Sequence, residues 1–432
     1  MVVLYSPYLT QRVKYSAQLV FETLLGCQLV FTENAENLPE GAHLKINYSK
    51  QELEGFFHIK PAGLLFENSV VEQQVKQGEW NSLLTLFPSE GDIPFDLLSA
   101  VFFLVSRYEE YLPHKRDIHD RFIPKNSIAY KNGFLQRPLV NEWVETLRNK
   151  LADDFPKLAT KKSKYTFTST IDVDNAYAYL EKGLVRTTGA YLRELFSLNF
   201  SDLKARTLTL FGRRKDVYDV FDYFIEMQLK HNVETIFFFL LGDYGLNDKN
   251  VPISSTRFQS LIKGVNDYCR VGIHPSYASY NDEAALRKEI RRLQQTTHRP
   301  VTLSRNHYLR LSFPRSYRQL IDLDIQEDYT MGYANEIGFR ASICTPFFFY
   351  DLDLEQVTQL KVFPFSIMES TIKYDYGKSP AEALEAVKPI VDRVRQVNGH
   401  LISLWHNHSL SEQDEWEGWS KFYEELMEYA KS

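Results

Sequence analysis

Residues 165–177, Y-T-F-T-S-T-I-D-V-D-N-A-Y, alternate in the manner of a β-strand. Side chains repeat every two residues along a strand, so Tyr165, Phe167, Ile171 and Val173 share one face. Thr166, Thr168, Thr170, Asp172 and Asp174 fall on the other. Two carboxylates therefore sit on one side at the end of an apolar strand, within reach of a single ligand. That placement costs desolvation and like-charge repulsion unless a cation, a proton or a donor compensates. Taken alone, the stretch reads either as a strand capped by Asx-turns at the surface or as a metal-binding carboxylate beside a catalytic base.

Downstream, strand and helix signals alternate. A helix with Val217, Phe221, Phe224 and Gln228 at helical spacing precedes the apolar run 235–241, which reads as a strand buried on both faces. A strand over 268–274 follows, then a helix capped at Asn281 or Asp282 with Leu286, Ile290 and Leu293 inward. A short strand is expected at 300–304 and a helix at 317–323. Ser379-Pro380-Ala381-Glu382 is a capping box opening a helix that ends at Asn398-Gly399. A strand over 400–405 and a final helix, capped by Ser411 with Trp419, Phe422, Tyr423 and Leu426 inward, complete the chain. Alternation over about 260 residues suits a barrel of eight or slightly fewer βα units. Residues 178–215 interrupt it as a helical or irregular stretch rich in Lys and Arg, read as a solvated face or as a patch for a phosphate- or carboxylate-bearing ligand.

Upstream, an amphipathic helix runs from Pro94 towards Tyr111 and stops at Pro113. The charged stretch 114–132 reads as loop, with His114 and His119 solvated. A helix over 140–151 leads into the polar, basic stretch 152–164, where a domain boundary is placed. At 432 residues the chain exceeds the usual span of one core. The expected division is a smaller mixed α/β domain over 1–160 and a barrel over 161–432.

The bulk composition, 44% hydrophobic and 25% charged, is that of a folded globular protein. A net charge of −6 gives no sign of a nucleic-acid or global membrane partner. The most apolar run, 95–105, is broken by Asp96 and Ser99 and is too short to span a bilayer. Cys27, Cys269 and Cys344 give neither a disulfide framework nor a zinc-ribbon spacing. The opening M-V-V-L-Y-S-P-Y lacks a basic segment and a continuous apolar run, so no signal peptide and a cytoplasmic location are expected. Oligomeric state has no signature in the sequence.

In parallel α/β folds the chemistry gathers at the carboxyl ends of strands. The polar residues at expected strand ends are Asp172 and Asp174, His274, Arg305 and His307, and His406 and His408. No Gly-rich phosphate loop, G-x-S-x-G elbow or H-E-x-x-H helix is present. This inventory suits metal- or acid/base-assisted hydrolysis rather than hydride or phosphoryl transfer.

Thr170-Ile171-Asp172-Val173-Asp174 resembles the first motif of the polysaccharide deacetylase (NodB-homology, carbohydrate esterase family 4) superfamily. Gly272-Ile273-His274-Pro275-Ser276-Tyr277 resembles the second, Ser304-Arg305-Asn306-His307-Tyr308 the third, Gly338-Phe339-Arg340-Ala341 the fourth and Leu404-Trp405-His406 the fifth, all in the family's order. The part before them, including Ser106-Arg107-Tyr108-Glu109-Glu110-Tyr111, resembles an accessory domain that precedes the catalytic domain in a subgroup. The resemblance implies a deformed (β/α)7 barrel that hydrolyses an N-acetyl or O-acetyl group on a sugar, such as an intracellular precursor of a surface polysaccharide. It implies a divalent metal, most often zinc, on Asp174 and His274, with Asp172 as base, Arg305 orienting it and His406 as acid. Tyr277, Arg340, Trp405, His307 and His408 are the implied substrate contacts. The family's second metal-binding His falls at Ala278 here. Ser279 is taken as the third ligand, with His307, His408 or a water as alternatives. The same Ala278 leaves open a metal-free hydrolase of another C–N bond, and a non-catalytic carbohydrate-binding barrel stands as a third reading.

Overall fold

The computed structural model describes residues 1–431. Strands β1 (Val2–Tyr5), β2 (Leu29–Thr32), β3 (Leu44–Asn47) and β4 (Phe57–His58) form a parallel sheet in the order β2-β1-β3-β4. Val2, Val3 and Leu4 are wholly buried, as befits a parallel strand covered on both faces. Helix α1 (Gln11–Ala17) starts at Thr10, whose hydroxyl accepts the Val13 amide, and continues into a π-helical turn. An antiparallel hairpin, β5 (Gln77–Trp80) and β6 (Leu83–Leu86), leads to α2 (Leu97–Val105). Every residue of α2 is buried, and Asp96 caps it by accepting the Ser99 amide. The expected loop after it contains a short helix, α3 (Ile128–Lys131), and the helix expected at 140–151 is α4 (Leu139–Asp154).

The rest of the chain builds a nine-stranded, mostly parallel sheet. Its strands are β7 (Thr166–Val173), β8 (Glu234–Leu240), β9 (Arg270–His274), β10 (Leu303–Ser304), β11 (Glu327–Asp328), β12 (Phe347–Asp351), β13 (Gln356–Val362), β14 (Ile367–Met368) and β15 (His400–His406). The order is β12-β13-β11-β10-β9-β8-β7-β15-β14, with only the β12–β13 pair antiparallel. The helices are α5 (Gly183–Phe196), α6 (Phe200–Leu210), α7 (Phe221–His231), α8 (Thr256–Tyr268), α9 (Glu283–Thr297), α10 (Arg315–Ile321), α11 (Pro380–Gln396) and α12 (Trp419–Lys431). The stretch between β13 and β14 bonds to both ends of the parallel array. Phe363 donates its amide to Asp328 O (2.8 Å), Phe365 to Met331 O (3.1 Å) and Ser366 to Ile402 O (3.1 Å).

The alternation in β7 sorts as its sequence demands. Phe167, Ile171 and Val173 join the main core against the helices. The opposite face, with Thr168, Thr170 and Asp172, is buried beside a separate apolar cluster that includes Ile236, Phe238, Leu303, Tyr329, Phe365, Ile402 and Leu404. Pairing puts His406 beside Asp172, and Leu240 beside His274, so the strand ends lie level with one another.

The basic stretch, expected to be helical or irregular, forms the helical hairpin α5–α6. One expectation shifts. The last helix begins at Trp419, not after Ser411, and the Glu412 carboxylate accepts the Gly418 and Ser420 amides at its start (2.8 and 2.9 Å). The three cysteines are free and buried.

Candidate active site

Four strand ends meet at one rim. At its base lies Asp172, 2% exposed, on the inward face of β7. Arg305, wholly buried just beyond β10, donates from Nη1 to Asp172 Oδ1 (3.1 Å) and Thr170 Oγ1 (2.6 Å), and from Nε to Tyr329 O (2.9 Å). Its guanidinium lies 4.8 Å from the Phe238 ring centroid and 5.4 Å from that of Phe365. A buried carboxylate is tolerated when a hydrogen-bonded cation faces it, and this arginine supplies that charge from beneath the strand end.

Above it, Asp174 Oδ1 lies 3.2 Å from His274 Nε2 and 3.5 Å from His307 Nε2. The tautomers follow from the other ring nitrogens. His274 Nδ1 is 2.6 Å from the Arg305 carbonyl, which can only accept, so Nδ1 carries the proton. His307 Nδ1 is 2.9 Å from Asp248 Oδ1, and a carboxylate likewise fixes the proton there. Both Nε2 lone pairs then face a carboxylate oxygen that is itself buried and accepts no well-formed hydrogen bond. Three acceptors converging within 4.8 Å of one another fit a divalent cation, and two imidazoles with one carboxylate are a common catalytic ligand set. Burial alone would raise the Asp174 carboxyl, but His307, His274 and His406 outweigh it and hold it well below its ordinary range. For His307, burial is likewise outweighed by Asp174 and Asp248, which lift it to about 9, so Asp174 draws a second proton onto Nε2 at the position where a bound cation would displace it.

The third ligand position is therefore a correction to the sequence reading. Ser279 turns away: its hydroxyl donates to Ser276 O (3.0 Å) and lies 3.4 Å from Glu289 Oε2. His307 fills that corner instead. The reason is Asp248, whose carboxylate also accepts the Tyr277 and Ala278 amides (2.8 and 3.1 Å), curling the loop after β9 so that Ala278 faces solvent.

On the other side stands His406, at the end of β15. Its Nδ1 is 2.7 Å from Glu369 Oε1, which also accepts the His406 amide (3.0 Å), and Glu369 is wholly buried. Its Nε2 lies 4.0 Å from Asp174 Oδ2. Burial would lower the His406 pKa, yet Glu369 and the two aspartates raise it to about 10. His408, whose ring centroid is 5.3 Å away, packs beside Tyr218 and Trp416, and burial holds it down at about 4. The two histidines of W-H-N-H are thus pushed in opposite directions, His406 towards the charged form and His408 towards the neutral one.

The rim is aromatic. Tyr308, at φ +59°, sets its ring 4.6 Å from that of His307 and 5.2 Å from that of Tyr277. His119 joins them from the N-terminal part, with Nδ1 3.4 Å from the Tyr277 hydroxyl, and is not the solvated loop residue expected. Two expected substrate contacts lie elsewhere. Trp405 points to the opposite face from His406, as strand alternation requires, and is wholly buried against Tyr423 and Phe422. Arg340 is spent on Glu110 as a bidentate buried pair (2.9 and 2.6 Å), with Nη1 on Gly332 O, and joins the N-terminal part to the larger sheet. Asp248 and Glu369 escaped the sequence reading. Glu369 follows β14, a two-residue strand with no periodic signal; Asp248 lies in the loop beyond β8 with no motif around it.

Residues 2–156 match the profile of a family of unknown function (DUF7033). A comparison with curated proteins finds no match. Among solved structures, the chain is similar to one from Mycobacterium smegmatis assigned as a polysaccharide deacetylase, at 14% identity and a TM-score of 0.40, over 62% of this chain and 86% of that one. It is also similar to a polysaccharide deacetylase from Bacillus cereus (13% identity, TM-score 0.28, 61% and 88% covered). A third similarity is to a CE4 family pseudoenzyme from Bacillus anthracis, at 16% identity and a TM-score of 0.29, over 62% of each chain.

Proposed function

We propose that the protein is a metal-assisted hydrolase that removes an acetyl group from an N-acetylated or O-acetylated sugar. The observation that carries this reading is the convergence of His274 Nε2, His307 Nε2 and Asp174 Oδ1 with both imidazole protons committed elsewhere. A divalent metal such as zinc, when bound by these three residues, would polarise the acyl oxygen and acidify a nearby water. Asp172 acts as the base: Arg305 engages Oδ1, leaving Oδ2, 3.8 Å from His274 Nε2, to take the proton of the attacking water. His406, held through Nδ1 by Glu369, presents a protonated Nε2 from the opposite side and donates to the departing amine or alcohol. Tyr277 and Tyr308 offer rings against which a sugar face stacks. The scaffold for this is a barrel of seven staves, β7, β8, β9, β10, β11, the continuous β13–β14 stretch and β15, closed by the bonds from that stretch to both neighbours. Residues 1–160 serve as an accessory domain that lends His119 to the rim.

Elemental analysis of the purified protein, combined with acetate release from N-acetylated amino-sugar oligomers and nucleotide sugars supplied with zinc, cobalt or nickel, tests the reading. The expected result is a stoichiometric metal that Asp174→Ala removes, together with acetate release. Acetate release that survives chelation and Asp174→Ala would point to a metal-free hydrolase. Sugar binding with no turnover would leave only a carbohydrate-binding barrel.

A further inference from the structure

The α5–α6 hairpin has its polarity reversed. Its inner side buries an ion pair, Glu194 with Arg206 (Nε to Oε2, 3.0 Å), beneath the rings of Tyr179 and Tyr191. Its outer side shows Leu184, Val185, Phe196 and Phe211 to solvent, each at least 78% exposed. With Leu192 and Leu195, the α5 residues fall on one face at the helical period, and Arg193 flanks that stripe. On α6 and its C-terminal cap, exposed Phe200, Lys204 and Phe211 fall on one side at the helical period. Arg193, Lys204 and Arg213 are exposed and meet no acidic partner among the described residues. Residues 182–215 hold eight basic and two acidic side chains, whereas the chain as a whole carries −6. Large apolar side chains exposed together along a helical hairpin in this way mark an interaction surface.

Interleaved cations and large apolar side chains on a helical ridge suit an anionic bilayer interface, which accepts both without a complementary shape. Symmetric pairing with a second copy would set Arg193, Lys204 and Arg213 against the same cations. The hairpin is also anchored at the site's rim. Asp216 accepts the Ala178, Tyr179 and Leu180 amides at its base, and Lys182 Nζ bonds to Asn175, the residue after Asp174, whose carbonyl accepts from Asn407 beside His406. We propose that the α5–α6 hairpin seats the protein on an anionic lipid surface, with the apolar ridge at the acyl boundary, Arg193, Lys204 and Arg213 on the phosphates, and the candidate active site beside the bilayer. The docking does not depend on the reaction proposed above.

Co-sedimentation of the full chain with vesicles of phosphatidylglycerol and phosphatidylcholine in equal parts, against phosphatidylcholine alone, tests it. The wild type is expected to pellet with the anionic vesicles only and to be released by high salt. Binding should fall by about tenfold or more in R193E/K204E/R213E and in F196S/F200S/F211S. Both variants should keep the wild-type melting temperature, and the salt release of the wild type gives a readout that needs no variant. Wild type left in the supernatant, or equal binding to both vesicle types, overturns the proposal. So does a wild-type dimer in sedimentation velocity that F196S/F200S/F211S turns into a monomer, because the ridge would then cover a second copy.

Discussion

Strand β7 and the helical hairpin that follows it break the ordinary rule of burial in opposite directions. The strand carries Asp172 inward and leads directly into the half-buried Asp174, and the hairpin turns phenylalanines outward. Either placement is unfavourable unless something offsets it. For Asp172 the offset lies within the chain: Arg305, wholly buried, faces it at hydrogen-bond distance. For Asp174 the chain goes only part of the way, since His274, with its Nδ1 proton on the Arg305 carbonyl, presents a lone pair, and His307 offsets the charge only by holding a second proton that a cation would displace. For the ridge of α5 and α6 nothing among the described residues offsets the exposure. A cost met internally belongs to the fold, whereas a cost left open points to a missing partner, here a cation at one place and a lipid surface at the other.

The largest effects come from removing what β7 carries inward. Asp172→Asn keeps the shape and removes the proposed base, so the proposed acetate release should drop roughly 10²- to 10⁴-fold while metal content is unchanged. A rate within a few-fold of wild type would make Asp172 a structural charge and erase its difference from any buried acid. Arg305→Met tests the internal offset itself. It leaves Asp172 buried without its cation and should cost about 3–5 kcal/mol in urea unfolding. Adding Asp172→Asn to it should recover much of that loss, and no recovery would show that the arginine acts by packing among Phe238, Tyr329 and Phe365 rather than by charge.

The same contrast explains what was legible in the sequence. Periodicity settles which face of a strand a residue takes, so Asp172, Asp174, His274 and His406 could be read directly from alternation and strand ends. Alternation also places Trp405 opposite His406, against the substrate contact that the motif resemblance implies. The third candidate ligand is legible only as one of several, with Ser279 set ahead of His307, His408 and a water. What decides it is Asp248, which both curls the loop after β9 and fixes the His307 ring, a contact between residues 59 positions apart. Glu369 was hidden for a related reason: β14 is two residues long, and its strand identity comes from pairing with β15, not from its own pattern. The hairpin's basic charge was plain in the sequence, but its reversed polarity shows only when Glu194 and Arg206 are seen facing inward.

A third buried acid sharpens the comparison. Glu289 forms no ion pair among the described residues; it accepts the Ser276 amide and hydroxyl (3.0 and 2.5 Å). Burial pushes its carboxyl up to about 7, with Asp248 adding to the rise. Its folded pKa exceeds the unfolded value of about 4.3, so its contribution is fully present below that value and is lost as pH rises through about 7. Between pH 4 and pH 8 this group alone should lower stability by about 3 kcal/mol, and Glu289→Gln should flatten that slope in pH-dependent unfolding. A slope unchanged in the variant would mean that the buried carboxylate is offset by something other than its proton.

The smallest effect is the most telling about the hairpin. Phe196→Ser and Phe211→Ser should each change unfolding free energy by less than about 0.5 kcal/mol in solution, as exposed substitutions do. Phe238→Ala, wholly buried above the Arg305 guanidinium, should cost about 3–5 kcal/mol by the same measurement. A ridge phenylalanine whose loss approached the Phe238 value would be packed against protein in solution, and the apolar ridge would then be a covered face. A negligible loss, with vesicle binding abolished, would separate the two regions cleanly: β7 spends its buried side chains on stability and chemistry, the hairpin holds its exposed ones for a surface outside the chain.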